Sequence, residues 1–585
     1  MYKVKTQFKE DIAPEEILLD SEKKKTEENR GRFEVPIKNW IFVSVFAFLI
    51  LLFVVLIGKT FYLIKVEGGE LAQEAKNNHR KISYVPTERG MIYSKDGVLL
   101  TKNIPFDEDR DEPGMGNQKI QNYRREYIGP GNLANRYFSF ILGYTREVND
   151  DERAEDKYYF LGDWIGKSGV EKEYEEYLRG IKGQRERIVN ADGEVLSDKI
   201  IQDPEGGYNL ILNIDAGLQK KLYDAILKKA PGKDAAAVAI NPQNGKVLAM
   251  VSVPSDDNNI FSKKSISEEE IKKLEEEKKI YNLDRVLAGL YPPGSTIKPI
   301  MGLAALQEGI VTPDTQINCT GSLVIQNPWD PQNPTIKKDW KTHGYTDLNK
   351  AIAESCNVYF YTVGAGNDDI DGLGIKRIKK YFNLFYIEDE LGIDIPGEGV
   401  GFVPTAEWFE KEKEKTEGRY WSVADVYDVS IGQGYFLTTP LHIATALSAI
   451  ANGGKIYQPQ VADKIIGKNK KLVEKIKPKI LKKDFADSLD IKAIQEGMRS
   501  CVTSESGSCR QLQSLQVTSA GKTGTAETGI LEDYHAWFVS YAPYENPEIL
   551  IVVLVEHGGG GEKIAAPIAA EALKWHFREE KKKKD

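Results

Sequence analysis

The stretch YPPGSTIKP, residues 291–299, places two prolines and a glycine before a Ser-x-x-Lys pair, Ser295 and Lys298, at the edge of an apolar segment. A proline inside a helix costs about 3 kcal/mol, so Pro299 predicts a helix that begins near Ser295. The helix dipole stabilises an anion there by only about 0.3–1 kcal/mol, less than the roughly 1.36 kcal/mol of one pKa unit. A serine hydroxyl at this position therefore needs a base before it can act as a nucleophile.

Lys298 is the residue that could serve as this base. It follows Ser295 by three positions, which predicts that both side chains share one helix face. Its amine can accept the serine proton if burial or a neighbouring cation lowers its pKa. The other interpretation is an ordinary helix cap, because serine is a preferred N-cap residue. Motifs elsewhere in the chain are needed to separate a nucleophile from a cap.

Ser355 and Asn357 form the first of these motifs. They stand two residues apart in AIAESCNVYFY, residues 351–361, at the end of a stretch with a helical pattern. Buried polar side chains need partners, and a hydroxyl with an amide can relay a proton and hold a peptide carbonyl. The pair is therefore a candidate for proton transfer and substrate contact.

The second motif is Lys522, Thr523, Gly524 and Thr525 in TSAGKTGTAET, residues 518–528. Its small residues predict a strand that another backbone can approach closely. An extended peptide could add alongside this strand while Lys522 and Thr523 bind a carboxylate. Lys522 would also supply the cation that lowers the pKa of Lys298.

In the order S-x-x-K, S-x-N, K-T-G, these motifs form a set known from β-lactamases and penicillin-binding proteins. The chain resembles the class B penicillin-binding proteins, and among these the elongation-type D,D-transpeptidases of rod-shaped bacteria. The resemblance runs from the membrane segment to about residue 577 and includes GKSGVEKEYEEYLRG, SIGQGYFLTTPLHIA and IAAPIA. It implies a peptidoglycan transpeptidase whose chemistry needs no cofactor.

The resemblance also implies how the first two motifs act. Ser295 would be acylated by the penultimate D-Ala of a stem peptide that ends in D-Ala-D-Ala, and the acyl group would pass to an amine of a neighbouring stem. Lys298 would be the base, Ser355 the proton relay and Asn357 a contact to the substrate carbonyl. β-Lactams are expected to trap Ser295 as a stable acyl-enzyme.

For the third motif the resemblance implies substrate binding. Lys522 and Thr523 would hold the terminal carboxylate of the stem peptide. The backbone N–H groups of Ser295 and Thr525 would form the oxyanion hole, in which each donor contributes about 3 kcal/mol.

An uncharged segment, WIFVSVFAFLILLFVVLI at residues 40–57, would rise roughly 27 Å as a helix, close to the apolar thickness of a bilayer. Lysines and arginines are concentrated in the residues that precede this segment, a pattern typical of the cytoplasmic side of a membrane helix. We expect a single-pass anchor in the cytoplasmic membrane, with the amino end in the cytoplasm and the catalytic body outside it, in the periplasm or its equivalent. A formal net charge of −9 argues against nucleic acid as a partner.

The expected fold class is α/β (α+β): a penicillin-binding transpeptidase fold with a central antiparallel sheet flanked by helices, after an elongated pedestal (dimerisation-like) domain and one transmembrane helix. The strand patterns in AAAVAINPQNGKVLAMVSV and YHAWFVSYAPYENPEILIVVLV are expected to share that sheet. Compared with elongation-type relatives, the head of the pedestal is reduced. The predicted segments are a cytoplasmic tail at 1–39, the anchor helix at 40–64, the pedestal at 65–233, the transpeptidase domain at 234–577 and a charged tail at 578–585.

Four residues of zinc-ligand type lie between or within the first two motifs: Cys319, Asp339, His343 and Cys356. Two thiolates, an imidazole and a carboxylate suit a closed, structural zinc site, and the resemblance implies a metal here. The other interpretation is a buried cysteine, a surface aspartate and a histidine in a turn. Separately, Cys501 and Cys509 could close a small disulfide loop in an oxidising compartment.

Other functions share some of these features. A D,D-carboxypeptidase or a β-lactamase has the same motifs but passes the acyl group to water, and β-lactamases are usually compact and secreted. A penicillin sensor would need a signalling domain, whereas only a short charged tail precedes the anchor. The remaining alternative is a non-enzymatic activator or scaffold of a SEDS-type glycosyltransferase. Such a polymerase, with other elongation-complex membrane proteins, is an implied partner in either case.

Overall fold

The computed structural model describes residues 39–584 except 71–79, 113–115, 132–133, 191–194, 270–271, 273–282, 326–331, 333 and 413. Residues 1–38 of the predicted cytoplasmic tail therefore lie outside the described residues. The chain forms two compact units, residues 1–80 and 81–585.

The first unit contains the apolar helix. Helix α1, Asn39–Tyr62, continues through a π-helical turn at Leu63–Glu67 to Glu70. Apolar side chains cover all of its sides and are exposed, a pattern that is stable where lipid surrounds the helix. The predicted anchor at 40–64 is thus one helix that is long and apolar enough to cross a membrane.

Short strands and helices build the amino-terminal part of the second unit. They are β1 (Arg80–Val85), β2 (Ile92–Tyr93), β3 (Thr101–Glu112), β4 (Gly116–Tyr127), α2 (Ala134–Tyr137), α3 (Ser139–Leu142), β5 (Thr145–Glu147), α4 (Asp150–Glu155), β6 (Trp164–Gly166), α5 (Gly169–Glu173), α6 (Glu175–Leu178), β7 (Gly183–Val189), β8 (Val195–Gln202), β9 (Asn209–Leu212) and α7 (Ala216–Lys229). Strands β1, β7 and β8 form one sheet, and β3 pairs with β4 in a long hairpin. This hairpin occupies the segment in which a reduced head is predicted.

A buried ion-pair cluster joins distant segments of this part. Arg89 donates to Glu171 and Glu175 at 2.7 and 2.8 Å, and Arg125 donates to the other oxygen of Glu171 at 2.6 Å. The side chains of Arg125 and Glu171 are fully buried. Charges are tolerated at such depth when they are paired, so the cluster fixes the start of the pedestal against α5 and α6.

The rest of the second unit contains longer helices around a central sheet. Its elements are β10 (Ala235–Ile240), β11 (Val247–Val253), α8 (Asn258–Phe261), α9 (Lys298–Gln307), β12 (Ile317–Cys319), β13 (Ser322–Ile325), β14 (Thr335–Lys338), β15 (Gly344–Thr346), α10 (Leu348–Glu354), α11 (Asn357–Ala365), α12 (Gly374–Leu384), α13 (Ala406–Lys411), α14 (Val423–Ser430), α15 (Pro440–Ala451), β16 (Lys455–Tyr457), β17 (Ala462–Ile466), β18 (Leu472–Lys475), β19 (Ile480–Lys483), α16 (Ser488–Thr503), β20 (Ala520–Glu527), β21 (Tyr534–Ala542), β22 (Ile549–Val555) and α17 (Ala565–Lys584).

The central sheet has the strand order β11-β10-β22-β21-β20, and every neighbouring pair is antiparallel. All residues of β10, β11 and β22 are buried, because helices α7, α15 and α17 pack against the sheet. The two strand pairs expected from the sequence to share one sheet do so. The structure therefore confirms an antiparallel sheet flanked by helices.

The two parts of this unit are joined by shared elements. Strand β9 pairs with β17 on one side and with β2 on the other, and α7 packs on α17. Residues 209–229, which the predicted boundary assigns to the pedestal, thus pack on the body that is predicted to be the transpeptidase domain. At the other end, α17 continues as a helix through residues 578–584, the predicted charged tail, because lysine, arginine and glutamate favour helix.

Candidate active site

Ser295 lies in a 3₁₀ turn, Gly294–Ile297, and α9 begins directly after it with Pro299 in its first turn. The α-helix therefore starts three residues later than the sequence predicts, because a tighter turn precedes it. Gly294 has a φ of +54°, and a Cβ there would lie 2.8 Å from the carbonyl oxygen of Thr525. Only glycine permits this approach, which brings half-buried Ser295 beside the K-T-G strand.

The Lys298 side chain is fully buried and faces the S-x-N motif. Its Nζ donates to Asn357 Oδ1 at 2.7 Å, to the Ser355 carbonyl oxygen at 2.8 Å and to Ser355 Oγ at 3.3 Å. Within the part of the chain that the structure describes, no hydrogen bond joins Lys298 Nζ to Ser295 Oγ. Catalytic hydrogen bonds are often long without substrate and tighten when it binds.

The S-x-N motif forms the sharp connection between α10 and α11. Ser355 has a φ of +60°, in the left-handed region that a residue other than glycine rarely adopts. Asp339 Oδ2 accepts the backbone N–H groups of Asn357 and Val358 at 2.7 and 2.9 Å, at the N-terminus of α11. This carboxylate holds the strained turn so that Ser355 and Asn357 both reach Lys298.

The K-T-G motif lies on β20, which is an edge strand of the central sheet. Lys522 is fully buried, and its Nζ donates to Ser355 Oγ at 2.7 Å and to the Thr523 carbonyl oxygen at 3.0 Å. The hydroxyl of Ser355 therefore lies between the two lysines. The predicted strand and its position at an open edge are both observed.

All three motifs meet at one cleft of about 470 Å³. The two lysines are buried behind the residues that line it. The predicted site residues that line it are Ser295, Asp339, Ser355, Asn357, Thr523, Gly524 and Thr525. The structure thus brings together residues that the sequence separates by more than two hundred positions.

Burial sets the protonation of both lysines. It lowers the pKa of Lys298 to about 8, although the carboxylate of Asp339 and the thiols of Cys356 and Cys319 act in the opposite direction. Burial also holds the pKa of Lys522 well below its ordinary value, and the charge of Lys298 lowers it further. The sequence predicted that Lys522 would depress the pKa of Lys298. Desolvation is the largest cause of the shift at Lys298, and the charge repulsion between the two lysines acts on both of them.

Some residues of the cleft were missed by the sequence analysis. Gln433 donates to the Thr525 carbonyl oxygen at 3.4 Å and accepts the Glu527 N–H at 3.3 Å, so it braces the far end of the K-T-G strand. Its segment SIGQG was recognised only as part of the resemblance. Ser508 and Tyr361 also line the cleft, and no local pattern in the sequence marks them.

The four candidate zinc ligands lie together beside the S-x-N turn. Cys356 Sγ is 2.8 Å from Cys319 Sγ and 3.3 Å from Asp339 Oδ2, and His343 Nε2 is 3.5 Å from Asp339 Oδ1. A hydrogen bond from Cys356 lowers the pKa of Cys319 against the effect of burial, whereas burial raises the pKa of Cys356. Thiolate is the form that binds a metal, so both cysteines would have to lose their protons to ligate one.

The environment of His343 fits a metal ligand. Its Nδ1 lies 2.8 Å from Glu354 Oε2, and Glu354 also accepts from Ser506 at 2.7 Å and from Lys341 at 2.9 Å. Burial raises the pKa of Glu354, but these hydrogen bonds outweigh it and lower the pKa to about 2. A carboxylate at Nδ1 leaves the lone pair on Nε2, which is buried without a hydrogen-bond partner beside Asp339.

Comparison with known proteins extends the description beyond the site. Residues 235–574 match the family model of the penicillin binding protein transpeptidase domain, and residues 113–212 match that of the penicillin-binding protein dimerisation domain. The peptidoglycan D,D-transpeptidase MrdA of Haemophilus influenzae is 31% identical, and the similarity covers 88% of each chain.

Solved structures show the same fold. Pseudomonas aeruginosa PBP2, in complex with WCK 5153, has a TM-score of 0.68 and 30% identity over 84% of this chain and 96% of that one. Helicobacter pylori PBP2, in complex with MreC, has a TM-score of 0.72 and 25% identity over 85% of this chain and 99% of that one. With these relatives and a transpeptidase match over more than half its length, the chain belongs to the class B, elongation-type penicillin-binding proteins.

Proposed function

We propose that this protein is a membrane-anchored, serine-type D,D-transpeptidase that cross-links peptidoglycan stem peptides through an acyl-enzyme on Ser295 during cell-wall elongation. The observation that carries the proposal is the position of Ser355 Oγ, 2.7 Å from Lys522 Nζ and 3.3 Å from Lys298 Nζ, in the cleft that Ser295 lines. The activity in the name of the MrdA relatives supports the same reaction class.

In the acylation step, Ser295 Oγ attacks the carbonyl carbon of the penultimate D-Ala of the donor stem. Lys298 Nζ, neutral when deprotonated, accepts the serine proton. The tetrahedral intermediate then collapses, the C–N bond to the terminal D-Ala breaks, and the proton held by Lys298 passes through Ser355 Oγ to the leaving amine, which returns Lys298 to its neutral form. The terminal D-Ala departs, and the stem remains bound to Ser295 as an ester.

In the second step, an amine of a neighbouring stem attacks the ester carbonyl. Lys298 removes the proton of this amine, the C–O bond to Ser295 breaks, and Lys298 returns that proton to the serine oxygen. The product is a new peptide bond between two stems. A β-lactam enters the first step in the same way, but its opened ring stays attached to the carbonyl carbon and blocks the second.

Substrate binding is assigned to the edge strand and the S-x-N motif. Lys522 and Thr523 bind the terminal carboxylate of the donor, and Asn357 contacts a carbonyl of the peptide. The backbone N–H groups of Ser295 and Thr525 stabilise the oxyanion. The close approach of Gly294 to the Thr525 carbonyl, which a Cβ would block at 2.8 Å, supports this pairing of the two segments.

Two other functions are possible for such a chain. One passes the acyl group to a different acceptor, and the other requires no catalysis. A D,D-carboxypeptidase would pass the acyl group to water, and the names of the MrdA relatives favour transfer to an amine. A scaffold without catalysis would not need two buried lysines on one serine hydroxyl, an arrangement that costs solvation energy.

The proposed setting is a single-pass anchor in the cytoplasmic membrane, with the amino end in the cytoplasm and the catalytic body on the outer side. Proposed partners are a SEDS-type glycosyltransferase and other membrane proteins of the elongation complex. Two solved relatives support this: one is a PBP2 bound to MreC, and another belongs to a peptidoglycan synthase complex, at 26% identity and a TM-score of 0.69.

We also propose that Cys319, Asp339, His343 and Cys356 hold a structural Zn²⁺. The ligand atoms of Asp339, His343 and Cys356 lie within 4.8 Å of one another, and Cys319 Sγ is 2.8 Å from Cys356 Sγ. This donor set and the orphaned Nε2 of His343 fit the ion. When bound, the ion would brace the S-x-N turn, since Cys356 lies between Ser355 and Asn357. Serine and lysine side chains carry the chemistry, and no step passes through the metal.

The test uses the full chain in detergent or native membranes. A fluorescent penicillin should label the wild type on Ser295, located by mass spectrometry of the labelled peptide. Ser295→Ala should lose both labelling and cross-linking of nascent peptidoglycan, while the exposed-serine control Ser488→Ala keeps both. Wild-type protein that takes up no label, or label that remains in Ser295→Ala, would overturn the proposal. Release of D-Ala without cross-links would favour the carboxypeptidase.

A further inference from the structure

A disulfide closes a tight turn behind the K-T-G strand. Cys501, near the end of α16, is bonded to Cys509, and the Cys509 N–H donates to the Cys501 carbonyl oxygen at 2.9 Å. A Cβ on Gly507 would lie 2.3 Å from that carbonyl oxygen, so only glycine allows the chain to turn here. We call residues 501–509 the disulfide turn. Both of its sulfur atoms are buried.

Ser508 of the disulfide turn lies beside two of the motifs. The Ser508 N–H donates to the carbonyl oxygen of Ala353, two residues before Ser355, at 3.2 Å. Its Oγ lies 2.7 Å from Thr523 Oγ1 and 3.2 Å from Cys501 Sγ. Ser508 therefore spans the gap between the S-x-N turn and the K-T-G strand, and the disulfide lies directly behind it.

The disulfide also lies against the strand itself. A Cβ on Gly521 would be 3.5 Å from Cys509 Sγ, which is van der Waals contact one residue before Lys522. A sulfur atom in a disulfide carries no proton and cannot donate a hydrogen bond to Ser508. Among the acceptors near the Ser508 hydroxyl, Thr523 Oγ1 at 2.7 Å is closer than the Ala353 carbonyl oxygen at 3.5 Å, and a disulfide sulfur is only a weak acceptor, so the Ser508 proton is directed to Thr523.

We propose that Ser508, held in place by the Cys501–Cys509 disulfide, is a positioning residue for Thr523. When Ser508 donates its proton to Thr523 Oγ1, the Thr523 hydroxyl keeps its own proton for the substrate carboxylate. The inference rests on the proposed function, in which Thr523 binds the terminal carboxylate. The disulfide turn thereby determines how well the carboxylate is recognised. It takes no part in the chemistry at Ser295.

The test compares two ligands that differ only in the carboxylate. Second-order acylation rates of the full chain are measured with benzylpenicillin and with its methyl ester, by competition with a fluorescent penicillin. In the wild type the acid should react faster than the ester. Ser508→Ala should lower the acid-to-ester ratio roughly two- to tenfold, the effect of one neutral hydrogen bond, and leave the ester rate unchanged. Ser508→Thr keeps the hydroxyl and should restore the ratio.

The role of the disulfide is tested by measuring the same acid-to-ester ratio of acylation rates. The double variant Cys501→Ser, Cys509→Ser should lower it as Ser508→Ala does, and adding Ser508→Ala to it should produce no further loss, because both act through one hydroxyl. Ser514→Ala removes an exposed serine from the following 3₁₀ turn and is the matched control. Peptide mapping of the oxidised wild type under non-reducing conditions should recover the Cys501–Cys509 pair.

Several results would overturn the inference. An equal loss of acid and ester rates would indicate a general defect of the fold, and a fully additive triple variant would separate the disulfide from Ser508. Free thiols at Cys501 and Cys509 in the mapped protein would show that the disulfide proposed to hold Ser508 does not form. These outcomes differ from failure of the proposed function, in which the wild type is not acylated by either ligand.

Discussion

At the residue scale, the site depends on one serine hydroxyl shared by two buried lysines. Ser355 Oγ accepts from Lys522 Nζ at 2.7 Å and lies 3.3 Å from Lys298 Nζ. Two ammonium groups this close and this deeply buried repel each other, and desolvation penalises both. The arrangement therefore favours a state in which one lysine is neutral, which is the state that a general base requires.

The first prediction concerns the pH dependence of acylation. In the proposed mechanism the neutral amine of Lys298 is the base, and burial lowers its pKa to about 8, so the reactive fraction should grow as the pH rises through about 8. The second-order rate of acylation by a fluorescent penicillin, measured between pH 6 and pH 10, should increase and level off above that value.

Lys298→Arg is the variant that checks this assignment, since guanidinium keeps its charge over the whole range. It should lose acylation at every pH. If the wild-type rate keeps increasing until the pH reaches the pKa of an ordinary lysine, burial does not lower the pKa of the base.

At the element scale, the turn at residues 294–297 lies in close contact with β20. Gly294 adopts a φ of +54°, and a Cβ there would meet the Thr525 carbonyl oxygen at 2.8 Å. Left-handed backbone costs other residues about 1–2 kcal/mol, and the contact adds to this cost. We therefore predict that Gly294→Ala lowers the acylation rate by at least about tenfold.

Gly309→Ala supplies the matched control for this substitution. Its φ is +65°, but nothing lies within 4 Å of a Cβ there. Gly309→Ala should lower the unfolding temperature by a similar amount to Gly294→Ala and leave the acylation rate unchanged. Equal acylation by the Gly294 and Gly309 variants would show that contact between the turn and β20 is unimportant.

The elements around α11 carry the metal prediction. Cys319 ends β12, Asp339 follows β14, His343 precedes β15, and Cys356 caps α11. Purified protein should contain one zinc per chain by elemental analysis. Cys319→Ala should lose it and lower the unfolding temperature, because metal binding contributes directly to folding energy. Wild-type protein that contains no zinc, and whose unfolding temperature is not changed by Cys319→Ala, would contradict the site.

At the scale of the whole molecule, the anchor and the catalytic body belong to separate compact units. We predict that a chain beginning at Lys81 leaves the membrane fraction, remains folded and is acylated by penicillin at the rate of the full chain. Fractionation followed by fluorescent labelling measures both properties. A truncated chain that folds but reacts much more slowly would show that the anchor segment contributes to the site.

Much of the site and fold could be predicted from the sequence. The anchor follows from an uninterrupted apolar run, and the central strands follow from short apolar patterns around turns, such as β10 and β11. Ser295, Lys298, Ser355, Asn357 and the K-T-G residues were recognised by their spacing and order. These features depend on local periodicity and on residue type, which a sequence displays directly.

How these parts act on one another depends on the way the chain packs. Lys522 reaches Ser355 across 167 residues of sequence, and Ser508, which no motif marks, reaches Thr523 from a disulfide turn. The pKa of Lys298 is lowered chiefly by burial, a quantity that depends on every element packed around the side chain. Which chemical groups are present can be read directly from the chain. Packing determined their protonation and their contacts, because both depend on neighbours that are distant in the chain.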